Sequence, residues 1–129
     1  MKRVILSIAI IATIGLVSCK NEAIKTDQTT TNEVASTETT FGVRGNCGMC
    51  KSTIEKAANG IQGVSKAIWN VDKKKIDVSF DASKTNLDAI HNAISASGYD
   101  TDKVMGSESA YENLPACCKY DHEMKMSLN

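Results

Sequence analysis

Proline is nearly absent from this 129-residue chain, which has Pro115 alone, and aromatic residues make up only 5%. With eight glycines and no proline-rich stretch it is not a low-complexity or collagen-like polymer. So few aromatics imply a small aliphatic core, of a size whose stability gains from a bound ligand. Neither sign of charge dominates: 15 basic residues face 15 acidic ones, so no broad basic face offers itself to nucleic acid. No Ser-His-Asp set, glycine-rich phosphate loop or pair of working carboxylates is spaced for catalysis, so the chain is not expected to be an enzyme. The longest apolar run, residues 4–17, is too short to span a bilayer.

That run follows Lys2 and Arg3 and ends in Leu16-Val17-Ser18-Cys19. A positive start, an apolar stretch and small residues before a cysteine resemble the lipobox of bacterial lipoproteins. The resemblance implies that residues 1–18 are a lipoprotein signal peptide and that Cys19 is the lipidation site. Acyl chains on Cys19 would hold the protein to a membrane. The implied location is the cell envelope, lipid-anchored and extracytoplasmic. The alternative is an ordinary secretory leader with an incidental cysteine. Removing residues 1–18 takes Lys2 and Arg3 with it and leaves a net charge of −2, which selects no partner. Residues 19–38 are polar and rich in threonine, without apolar periodicity, and are expected to form a disordered tether.

Pattern begins at Phe41. Phe41 and Val43 alternate with small residues, as in a short strand. Residues 45–50, Gly-Asn-Cys-Gly-Met-Cys, read as a loop. Residues 52–59 follow as a helix with Ile54, Ala57, Ala58 and Ile61 on one face. Val64, Ala67, Trp69 and Val71 lead into the polar turn at residues 72–75, and Ile76, Val78 and Phe80 return at period two. This is a hairpin with one buried face. Thr85 is placed to cap a second helix, striped by Leu87, Ile90 and Ile94 and closed by Gly98. Residues 99–104 read as a last strand. The order β-α-β-β-α-β predicts an α+β, ferredoxin-like sandwich: an antiparallel four-stranded sheet with two helices on one face.

Residues 39–104 resemble the heavy-metal-associated domain of copper chaperones, metal-ATPase N-termini and periplasmic mercury-binding proteins. The likeness rests on Cys47 and Cys50 before the first helix and on Gly63-Val64 opening the second strand. It extends to Ala67, Trp69, Val71, Ile76, Val78, Phe80 and Asp81, and to Gly98-Tyr99. It implies a metal site at Cys47 and Cys50, with Tyr99 and Met49 near it. The family usually carries a Met two residues before the first cysteine. Here that position is Gly45, followed by Asn46, and the change is expected to loosen the loop.

Two thiolates bent to one side of a loop chelate one soft ion. Copper(I) is favoured, and zinc or mercury(II) would also bind. Cys50, at the start of the helix, is expected to gain from the helix dipole, and Lys51 to offset thiolate charge. The same C-x-x-C is also a redox motif, and thiols outside the cytoplasm oxidise. The readings are therefore a metal-binding chaperone that sequesters copper(I) or exchanges it with a donor or acceptor protein such as an efflux ATPase or cuproprotein; a thiol-disulfide protein; or a mercury scavenger. Residues 105–129 form a C-terminal tail that holds Cys117 and Cys118, with His122, Met124 and Met126 after them. Cys117 and Cys118 are read as additional metal ligands or as disulfide partners of Cys47 and Cys50. The other three, with Met105 and His91, are weaker candidates.

If Cys19 bears the lipid, Cys19→Ala is expected to move the chain from the membrane pellet to the soluble fraction. A variant that still sediments with membranes rules the anchor out.

Overall fold

A computed structural model of the chain describes residues 36–128. The leader, Cys19 and residues 20–35 lie outside the described residues. Three strands and two principal helices run in the order β1 (Ser36–Gly42), α1 (Gly48–Asn59), β2 (Val64–Asn70), β3 (Lys75–Asp81) and α2 (Leu87–Ala96). Helix α3 (Glu108–Glu112) and a 3₁₀ turn (Ala116–Cys118) follow in the tail.

Alternation builds the sheet. β3 lies in the centre, antiparallel to β1 on one side and β2 on the other. Ile76, Val78 and Phe80 of β3 and Ala67 and Trp69 of β2 point inward, and their intervening neighbours face water. Ile54 and Ala58 of α1 and Ile90 and Ile94 of α2 close over that face, so the helical stripes meet the sheet as their periodicity predicts.

The structure departs from the sequence reading at both edges. β1 begins at Ser36, inside the stretch expected to be a tether, and pairs in register with β3 from Ser36 opposite Asp81 to Gly42 opposite Lys75. The outer half of this strand is solvent-facing and threonine-rich, so it pairs through its backbone without showing apolar alternation. The expected fourth strand is the larger departure. Among the described residues the sheet has three strands, and residues 99–104 contribute one antiparallel bridge, Thr101 to Val43. The Thr101 hydroxyl accepts the Val104 N–H at 2.9 Å and curls the chain away after that single bridge. Helix α2 is capped by Asn86, whose side chain accepts the Ala89 N–H at 2.9 Å, one residue beyond the expected Thr85. After α2, Gly98 turns with φ +93°; a Cβ there would also lie 2.8 Å from the Tyr111 nitrogen.

The tail is part of the fold. Cys118 and Tyr120 are buried in the core cluster, and Tyr111, Leu114 and Met124 pack against it. Asp100, fully buried, is the anchor. Its carboxylate accepts Gly106 N–H at 2.8 Å, the His122 Nδ1 group at 2.7 Å and Arg44 Nη1 at 3.2 Å. The Tyr120 hydroxyl accepts the Asp100 N–H at 2.8 Å and sits 2.9 Å from the Gly98 carbonyl and 3.0 Å from Asp100 Oδ1. Burial alone would raise the Asp100 carboxyl, but the hydrogen bonds from Gly106, His122 and Tyr120 outweigh it and hold the group below the usual carboxylate range.

Tyr120→Phe keeps the ring and removes only the hydroxyl, leaving the Asp100 N–H and Gly98 carbonyl unpaired in the interior. It is expected to cost about 1–3 kcal/mol in a urea unfolding series on the reduced chain. A loss near zero would mean the tail is not anchored this way.

Candidate metal centre

The site grows from the end of β1. Val43 accepts the Trp69 indole N–H at 3.0 Å and fixes the ring beneath the next residues. A Cβ on Gly45 would meet that ring and the Cys50 Cβ at 3.1 Å each. The indole therefore fills the space beside Gly45. Asn46 adds two ties. Its N–H donates to Cys50 Sγ at 3.3 Å, and its side-chain amide donates to the Lys119 carbonyl at 2.6 Å.

Helix α1 starts at Gly48, earlier than the sequence suggested, so Cys47 is its N-cap and Cys50 lies in its first turn. Cys50 is buried and Cys47 partly open to solvent, with their sulfurs 3.6 Å apart. Cys47 profits from this position. The Cys50 N–H is the largest influence and, against the opposing cost of burial, brings Cys47 down to about 7. Lys51 is occupied elsewhere: its ammonium pairs with Glu55 and with the Trp69 carbonyl, so it does not stand over the sulfurs.

The tail brings a third sulfur. Cys118 Sγ lies 3.8 Å from Cys47 Sγ, and the sulfurs of Cys47, Cys50 and Cys118 all fall within 4.8 Å of one another. Burial, ahead of the neighbouring sulfurs, pushes the Cys118 thiol up to about 12. Cys117 is turned outward, with its sulfur 3.7 Å from Met49 Sδ and 3.9 Å from Cys118 Sγ. In a 3₁₀ turn successive side chains point about 120° apart, so adjacent cysteines cannot both face inward. Tyr99 closes the interior side. Its hydroxyl is the only buried side-chain polar atom without a hydrogen-bond partner among the described residues. Burial first, and then the adjacent Cys50 and Cys118 sulfurs, raise its pKa.

The weaker candidates stand apart. His91 is buried against Phe41 and bonded to the Thr101 hydroxyl at 2.9 Å. Desolvation is the main cause of its lowered pKa. His122 belongs to Asp100, Met126 packs over Gly42, and Met105 is exposed. The inner donor set is sulfur alone, facing an unpaired hydroxyl. That combination fits a soft cation and does not fit magnesium or calcium.

The heavy-metal-associated domain profile matches residues 41–100. Over 54 residues the chain is 41% identical to a copper chaperone CopZ of Staphylococcus aureus, an alignment covering 42% of this chain and 79% of that protein. The chain belongs to the heavy-metal-associated domain family. Solved structures agree on the fold. Oxidized MerP from Ralstonia metallidurans CH34 is 30% identical with a TM-score of 0.50, covering 53% of this chain and 96% of that one. A Bacillus anthracis protein described as copper-ion-binding is 28% identical with a TM-score of 0.51, covering 54% and 99%. Cys118 lies beyond the stretch matched to the family, so family likeness alone does not point to it. One signal in the sequence does: two of its three tyrosines, Tyr111 and Tyr120, flank the Cys117-Cys118 pair in a chain with few aromatics to spend.

Burial ranks the thiols. In the reduced, metal-free protein, Cys117 and Cys47 are expected to be alkylated well before Cys50 and Cys118, as read by mass spectrometry of quenched samples. Early modification of Cys118 would contradict its buried position.

Proposed function

We propose that this protein binds copper(I) through Cys47 and Cys50 at an extracytoplasmic membrane surface, and either sequesters the ion or passes it to a partner. The observation that carries this reading is the pair of sulfurs 3.6 Å apart at the start of α1, one buried and one open, in a heavy-metal-associated domain. Likeness to a copper chaperone supports copper as the ion. Soft thiolates favour it chemically over the hard cations.

Transfer needs no acid or base at a reacting carbon. A partner thiolate bonds to the ion as one resident sulfur leaves, so one metal–sulfur bond forms for each that breaks. Cys47, the more open of the two sulfurs and brought down to about 7, is placed to be exchanged first. An efflux ATPase or a cuproprotein would supply such a partner. The Leu16-Val17-Ser18-Cys19 motif supports the proposed location.

The full chain, reduced and anaerobic, is expected to take up one copper(I) in competition with bicinchoninate. Cys47→Ser and Cys50→Ser are each expected to weaken that binding by more than about a hundredfold, beyond what changes outside the ligand shell cost. Feeble binding by the parent chain, joined to a strongly oxidising Cys47–Cys50 couple, would favour thiol–disulfide exchange instead.

A further inference from the structure

We infer that Cys118, delivered by the C-terminal tail, is the third thiolate of the metal centre, so that one soft d¹⁰ ion is held by Cys47, Cys50 and Cys118 within a single chain. This rests on the copper(I) reading of the Cys47–Cys50 pair and adds a ligand to it.

Spacing makes the first argument. With metal–sulfur bonds of about 2.3 Å, a linear two-sulfur site holds its sulfurs about 4.6 Å apart, whereas a trigonal site holds each pair about 4.0 Å apart. Here Cys47 Sγ lies 3.6 Å from Cys50 Sγ and 3.8 Å from Cys118 Sγ, and all three pairs are within 4.8 Å. Two sides of the triangle are already near the trigonal spacing, and the third is no longer than 4.8 Å.

Support from the surrounding chain makes the second. Cys118 is 1% exposed and ends a 3₁₀ turn begun by Pro115, whose carbonyl accepts the Cys118 N–H at 2.8 Å. The residue before Cys47 is hydrogen-bonded to the residue after Cys118, through the Asn46 amide and the Lys119 carbonyl at 2.6 Å. Two residues on, Tyr120 is locked to Gly98 and Asp100, and its own carbonyl accepts the Tyr111 hydroxyl at 2.7 Å. Sulfurs 71 residues apart in sequence are thus braced from both sides. A ligand fixed by its surroundings loses less freedom on binding than one on a loose tail.

The third argument is the unpaired Tyr99 hydroxyl beside Cys50 and Cys118. A buried O–H without an acceptor is costly, and a metal-bound thiolate is a strong acceptor. Three S–H protons leave as three metal–sulfur bonds form, so a copper(I) centre carries a charge of −2. The Asn46 N–H already donates to Cys50, and the buried Tyr99 hydroxyl has its O–H free to donate to that charge. Cys118 then fills the third position around the ion, so complete release requires Cys118 to be displaced as well as Cys47 and Cys50.

X-ray absorption of the full chain loaded with one copper(I) tests this directly. Three sulfur neighbours are expected, independent of protein concentration, falling to two in Cys118→Ala and remaining three in Cys117→Ser. Copper(I) affinity is expected to drop roughly tenfold or more in Cys118→Ala. Two sulfurs in the copper-loaded parent chain would overturn the inference and leave the Cys47–Cys50 reading standing. So would three that persist in Cys118→Ala, or three seen only at high concentration. Failure of the parent chain to bind copper(I) would overturn both. Where Cys118→Ala folds poorly, the parent chain and Cys117→Ser carry the test: two sulfurs in the parent, or the loss of one in Cys117→Ser, overturns the inference.

Discussion

A carboxylate taken wholly out of water must be surrounded by donors, and Asp100 draws its donors from two separate parts of the chain. Arg44 reaches it from the end of β1, and Gly106, Tyr120 and His122 reach it from the tail. Leaving any of these unmatched in the interior is expensive, which is why the tail cannot drift from the domain without exposing the charge it helps to satisfy. Three tyrosines gather around the same point. Tyr120 lies with its ring centroid 5.8 Å from Tyr99 and 5.0 Å from Tyr111, so half of the chain's scarce aromatics seal this one seam. The position of Cys118 follows from this buried charge, two residues from Tyr120 and held in the same layer.

Support for the sulfurs is correspondingly distributed. The sheet sets Trp69, Trp69 sets Gly45, and Gly45 allows the loop to lie against Cys50. The helix sets Cys47 by making it the N-cap, at the positive end of the helix. The tail sets Cys118. Cys47 and Cys50 therefore arrive on the start of α1 and Cys118 on the tail, and Asn46 joins the two supports through its bonds to Cys50 and Lys119.

The parts of this architecture visible in the sequence were those written by burial with a fixed period. Ile76, Val78 and Phe80 announced a strand, and Ile54 and Ala58 a helix, because one face of each had to be apolar. Cys47 and Cys50 were legible because their spacing is itself the chemistry. What periodicity does not encode was missed. The outer half of β1 pairs through backbone groups and leaves no apolar trace, so it passed for tether. The fourth strand failed because a threonine hydroxyl two residues after Tyr99 curls the chain, a choice made by one side chain against an extended pattern. The meeting of Cys118 with Cys47 spans 71 residues and depends on polar anchors such as Asp100 and Asn46, whose partners cannot be read from local spacing.

The placement of Trp69 has a use of its own. It is the only tryptophan in the chain, and its ring and the Cys50 Cβ bracket the same point beside Gly45. An ion held by Cys50 changes the immediate surroundings of that indole and of no other. Were the proposed ion bound there, the emission of this indole would report it without a label.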